Sequence, residues 1–178
     1  YYGDGDNSLE IDLLEDIAEM KAGYSASAGY NLITLFDAKS GSTTGFGEAF
    51  VDTRLYRIGE NKAYRLNGGS QFPNITTTSK NYEANMGDAD TLKKFIQYCK
   101  ANYPADKYVL IISNHGGGTR SVKSSSSSIT KEICQDVTNG NDYMYTGEIS
   151  DILTSSESVD VMVLDACLMG SVEFAYQF

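Results

Sequence analysis

One histidine, His115, and three cysteines, Cys99, Cys134 and Cys167, are the side chains of this 178-residue chain best suited to proton transfer and nucleophilic attack. His115 stands in Ser113-Asn114-His115-Gly116-Gly117-Gly118, directly after the apolar run 108–113, and Cys167 stands in Asp165-Ala166-Cys167, directly after the apolar run 159–164. Ligands of open parallel sheets bind beyond the carboxyl ends of the strands. If the two runs are neighbouring strands, imidazole and thiol face one crevice although 52 residues separate them. The chemistry implied is acyl transfer: an ionised Cys167 attacks a carbonyl and His115 supplies a proton to the leaving amine. The glycines after His115 leave backbone amides open, so the Gly116 and Cys167 amides are the candidate oxyanion hole. Residues 169–178 have a helical pattern, which places Cys167 at a helix start, where free N–H groups favour a thiolate.

Each of these residues has a bland alternative. A lone histidine can be a packed, hydrogen-bonded side chain, and a lone cysteine a buried inert one; it is their joint placement after two apolar strands that favours catalysis. Cys99 falls on the apolar face of a helix, and Cys134 reads as a packed strand residue rather than a resolving thiol. With one histidine no HExxH or two-histidine zinc motif can form, and the three cysteines make no CxxC pair and no even disulfide framework. One disulfide plus a free thiol stays open. The string His115 to Gly118 resembles the oxyanion loop of lipases and esterases, but no GxSxG elbow accompanies it. Asp4, Asp6, Ser8, Asp12 and Glu15 have partial calcium-loop spacing. Leu9, however, occupies the glycine position of such a loop, and a solvated helix face is the better account.

The elements that must position these residues follow from periodicity. Asn7 or Ser8 can cap a helix with Leu9, Leu13, Ile17 and Met20 on one face. Residues 31–37 read as a buried strand, 54–58 and 63–66 as a hairpin around Gly59-Glu60-Asn61, and Asp88 or Asp90 as the start of a helix facing the core with Leu92, Phe95, Ile96, Cys99 and Tyr103. Strands 108–113 and 159–164 are apolar on both faces, as in a parallel sheet covered on both sides. Between them lie the serine run 124–128, expected in an exposed loop over 119–131, a Gly/Asn/Asp-rich stretch at 138–142, and a short helix at 147–153. The alternation is that of a single α/β domain over 1–178. The final helical pattern stops without a cap, so the chain reads as cut short after Cys167. A net charge of −10 disfavours nucleic acid, and no apolar run approaches the ~20 residues of a membrane span.

Three strings together resemble the clostripain-like cysteine peptidases of the caspase-haemoglobinase superfamily: Gly5-Asp6-Asn7-Ser8-Leu9-Glu10, Ser113-Asn114-His115-Gly116-Gly117-Gly118 and Asp165-Ala166-Cys167-Leu168-Met169-Gly170-Ser171-Val172-Glu173. The resemblance implies a caspase-like three-layer α/β/α sandwich with a mostly parallel sheet, and a dyad of His115 and Cys167. It further implies cleavage of proteins or peptides after arginine or lysine, with an unpaired Asp165 helping to hold the basic side chain. By the same resemblance the enzyme is bacterial, secreted or of the cell envelope, and made as a self-processed zymogen. Its cut falls between the two motifs, with Lys123 and Lys131 as candidates and Arg120 also available. No cofactor is required for the chemistry; calcium dependence occurs in the family, although no all-oxygen site is legible in the sequence. The rival readings are a catalytically silent binding module of the same fold, in which Cys167 ignores electrophiles, and a serine esterase whose activity survives loss of Cys167.

Overall fold

The protein is described by a computed structural model covering residues 1–117, 132–176 and 178. Its elements in chain order are β1 (Tyr2–Asp4), α1 (Glu10–Gly23), β2 (Leu32–Asp37), β3 (Thr53–Gly59), β4 (Lys62–Arg65), α2 (Ala89–Asn102), β5 (Val109–Ser113), β6 (Glu132–Asp136), β7 (Asp142–Tyr145), α3 (Thr146–Ile152), β8 (Val161–Asp165) and α4 (Val172–Ala175). Six strands form one sheet in the order β4-β3-β2-β1-β5-β8, while β6 and β7 make a separate hairpin. The sheet is parallel across β2, β1, β5 and β8 and antiparallel where β3 and β4 join. The mixed, mostly parallel sheet between helices is the expected caspase-like architecture.

Alternation along the strands divides the core in two. Phe36 and Tyr56 join α1's Leu13, Leu14 and Ile17 on one face. Leu35, Leu55, Tyr2 and Ile112 join α2's Leu92, Phe95 and Ile96 on the other. Each such side chain contributes roughly 1.5–3 kcal/mol by leaving water. Asp88 caps α2, its carboxylate accepting the Asp90 amide at 2.8 Å. The 59–61 turn joins β3 to β4 as expected, with Asn61 in the left-handed region at φ 55°.

Three readings are corrected. The start of α1 has no side-chain cap at Leu9; Asn7 Oδ1 accepts the Leu9 amide at 2.9 Å just ahead of the helix, and Ser8 is engaged elsewhere. The acidic N-terminal face is not wholly solvated: Asp4, Asp6 and Glu10 are buried, and the Glu10 carboxylate takes the Lys39 and Ser40 amides at 2.8–3.0 Å. Strand β8 is not covered on both faces. It forms the sheet edge, with Val161 50% and Val163 41% exposed. The polar stretch 138–142 forms the β6–β7 hairpin turn, in which Gly140 and Asn141 take positive φ.

Candidate active site

Strands β5 and β8 are hydrogen-bonded neighbours with Ser113 opposite Asp165, so the chain leaves both at the same end of the sheet. From β5 it passes to Asn114, which is buried. The Asn114 carboxamide donates to the Asp4 carbonyl and accepts from the His115 and Gln135 amides. The His115 ring lies beyond, its Nε2 3.0 Å from Ser8 Oγ. Gly117 donates to the Glu132 carbonyl at 2.8 Å, joining the two ends of the segment 118–131 beside His115.

From β8 the chain turns through Ala166 and an exposed Cys167. The two turns touch: a Cβ on Gly116 would stand 2.3 Å from the Cys167 carbonyl oxygen and 3.0 Å from Ala166 Cβ. Only a glycine fits there. The expectation that Cys167 begins a helix is corrected. Leu168 adopts φ 63°, which interrupts any helix, and α4 starts at Val172 under the Ser171 side chain, whose Oγ accepts the Phe174 amide at 3.2 Å. A four-residue helix starting five positions later supplies no dipole to the thiol. Cys134 is fully buried in β6 and Cys99 is partly buried on α2; burial pushes the Cys99 thiol up to about 11 and raises that of Cys134 as well, which disfavours a thiolate at either.

Asp165 is not unpaired, since Ser113 Oγ donates to its Oδ2 at 2.8 Å. A neutral hydroxyl leaves the charge in place, and no ion pair to Asp165 exists among the described residues. Together with Asp16 and Glu19 of α1 it lines an open pocket of about 350 Å³ whose other walls include Met20, Ile111 and Val163. Burial raises the Asp16 carboxyl above its usual range, and the Asp165 and Glu19 charges add to the shift against a hydrogen bond from Tyr1. A cation in the pocket would act against that shift, since an opposite charge favours the ionised carboxylate.

A second acidic group lies where β1 and β2 end. One carboxylate oxygen each of Asp6, Asp37 and Glu83 falls within 4.8 Å of the other two. The sequence reading missed this group, along with Asn114 and Ser8 as partners of the histidine turn. The signal available for the last two was their position inside the quoted strings. Candidates Arg120, Lys123 and Lys131, like the whole of the 119–131 loop, lie outside the described residues.

A mostly parallel α/β sandwich with histidine and cysteine on adjoining strand ends defines a caspase-like domain. A model of the clostripain family matches residues 1–178, and the chain belongs to that family. It is 55% identical over 186 residues to clostripain of Hathewaya histolytica, covering 100% of this chain and 35% of that protein. The fold is similar to that of a secreted C11 cysteine protease from Bacteroides thetaiotaomicron, solved with an irreversible peptide inhibitor (TM-score 0.63, 24% identity, 99% of this chain and 44% of that one). It is also similar to an inactive zymogen C11 protease from Parabacteroides distasonis (TM-score 0.62, 20% identity, 99% and 44%). The chain therefore spans about a third of the curated relative it matches. No helix among the described residues is long and apolar enough to cross a membrane.

Proposed function

We propose that the chain carries the His/Cys half of a secreted bacterial cysteine endopeptidase that cleaves after arginine or lysine. The observation that supports this best is the packing of Gly116 against the Cys167 backbone across the β5–β8 pair. In the proposed cycle the Cys167 thiolate attacks the scissile carbonyl carbon, and the carbonyl π electrons move to oxygen. The Gly116 and Cys167 amides receive that oxyanion. Collapse breaks the C–N bond, the amine leaves with a proton from His115, and a thioester remains. Water then attacks the thioester while His115 accepts its proton; the acid leaves and the Cys167 sulfur regains the proton. Ser8 holds the imidazole by Nε2, leaving Nδ1 for these transfers. A basic side chain would lay its methylenes on Met20 and Ile111 and its charge among Asp16, Glu19 and Asp165.

The test uses the natural full-length protein and its Cys167→Ala variant with fluorogenic peptides ending in arginine, lysine or aspartate. Arginyl or lysyl peptides should be cleaved by the first alone, with a loss of roughly 10³-fold or more in the variant. The wild type should also be found cut after Lys123 or Lys131, and the variant should stay uncut. No turnover by processed protein, with Cys167 inert to a basic chloromethylketone, would instead favour the silent binding module.

A further inference from the structure

A peptidase that cleaves after arginine or lysine carries its own candidate substrates, and this chain has 14 such residues. All but Arg120, Lys123 and Lys131 fall among the described residues. Of the rest, Lys39, Lys80 and Lys107 alone lie outside α1, α2, β3 and β4, where cleavage would first require the element to open. These three lysines are exposed and in loops, the places where folded proteins are nicked. The bond after each is held in the same way. Glu10 Oε1 and Oε2 accept the Ser40 amide at 2.9 and 3.0 Å, Asp52 Oδ2 the Asn81 amide at 2.7 Å, and Asp160 Oδ2 the Tyr108 amide at 2.8 Å. Bonds from backbone to backbone make up about two-thirds of protein hydrogen bonds, yet the amide after each of these lysines goes to a carboxylate. Two of the lysines are tethered as well: Lys107 Nζ donates to Asp160 Oδ1 at 2.8 Å, and Lys39 Nζ stands 3.5 Å from Asp6 Oδ1.

We infer that Glu10, Asp52 and Asp160 clamp the three loop lysyl bonds shut against cleavage after basic residues, the protein's own included. Hydrolysis after a lysine consumes water, leaves that lysine with a carboxylate and releases the next residue's nitrogen as an amine. The nitrogen that must leave is the one clamped. To enter a peptidase site the loop must be drawn out as an extended strand, which breaks a charge-assisted hydrogen bond, the stronger kind. At Glu10 and Asp52, both buried, it also strips a buried carboxylate of a donor. Proteases act on the opened form, so each clamp slows cutting by the share of molecules it keeps closed. The self-protection rests on the proposed preference for arginine or lysine; the clamps do not. Together they would restrict self-processing to the cut proposed above and leave the rest of the domain intact in its own presence.

The test is limited digestion of the full-length Cys167→Ala protein by trypsin, which cuts after the same two residues, with fragment ends read by mass spectrometry. Asp160→Ala is the cleanest probe, because this carboxylate is at the surface. It should yield the fragment ending at Lys107 at least about tenfold faster, the value of one hydrogen bond to a charged group, while other cuts keep their rates. Asp160→Asn keeps an oxygen for the Tyr108 amide and should be cut more slowly than Asp160→Ala. Both variants lose the charge, so the difference between them reports the hydrogen bond. Glu10→Ala should open the bond after Lys39 in the same way, and Asp151→Ala on α3 should open none. A variant that unfolds is cut after many basic residues at once, so a single new end separates a lost clamp from a lost fold. Equal rates in parent and variants, or in Asp160→Ala and Asp160→Asn, would overturn the clamps. With Cys167 intact, the Asp160→Ala protein should accumulate the same Lys107 end by itself. If trypsin opens that bond and the active protein does not, the clamps stand and the basic-residue preference falls.

Discussion

The two halves of the candidate site are built differently. The histidine half is anchored: Asn114 is buried, its carboxamide makes three backbone hydrogen bonds, and Gly117 is tied to Glu132. The cysteine half is open, for β8 is the sheet edge, Cys167 is exposed and Leu168 is 74% exposed in a left-handed turn. Gly116 is where the anchored half touches the open one. Cys167, the proposed nucleophile, sits in a largely exposed segment of the described residues, the kind that opens locally at low free energy.

Four substitutions test that contrast. Asn114→Ala removes one group from the centre of three hydrogen bonds and should lower unfolding stability by about 3 kcal/mol, seen in denaturant titration. If stability is unchanged, the histidine half is not the anchored one. Gly116→Ala should spare stability more than activity, because its Cβ pushes the Cys167 carbonyl away; kcat should fall about 10²-fold, as expected for reacting groups misplaced by roughly 1 Å. Asp165→Asn keeps a partner for Ser113 but loses the charge. Its kcat/KM should drop about tenfold or more for arginyl and lysyl peptides, through KM, with the melting temperature held. Ser8→Ala should be mildest, with kcat down about fivefold, the value of one hydrogen bond, and restored by Ser8→Thr. An alanine variant as active as the parent would remove Ser8 from the positioning of His115.

Much of this was legible in the sequence where a single element carried the signal. The strands ending at Ser113 and Asp165 announced themselves by apolar runs typical of a parallel sheet, while their adjacency was a condition of the argument that the β5–β8 pairing meets. The helix through Leu92 and Phe95 was fixed by its period and by Asp88. Strand β1 was not legible: Tyr2-Gly3-Asp4 is too short for any period, and its place between β2 and β5 is set by partners some 30 and 110 residues away. Burial of Asp4, Asp6 and Asp37 was equally hidden, since acidic residues belong at the surface unless distant donors come to them. Here the distant donors are the Thr53 hydroxyl, to Asp37, and the Thr138 amide, to Asp6. The misreading of Cys167 has a local cause. Leu168 takes a backbone conformation that leucine seldom adopts, and helical periodicity cannot register it.

The three residues of β1 also set a clock. Tyr2 pairs with Leu35 on one side and Ile112 on the other, and the second partner is synthesised 77 residues after the first. At a synthesis rate of about 5–20 residues per second, that leaves the future centre of the sheet as an unpaired edge for roughly 4–15 s on every ribosome. During that interval the nascent chain presents a strand edge able to pair with its neighbours. Production yield should therefore be governed by the speed of translation and chaperone supply before residue 112, well ahead of any step at the thiol.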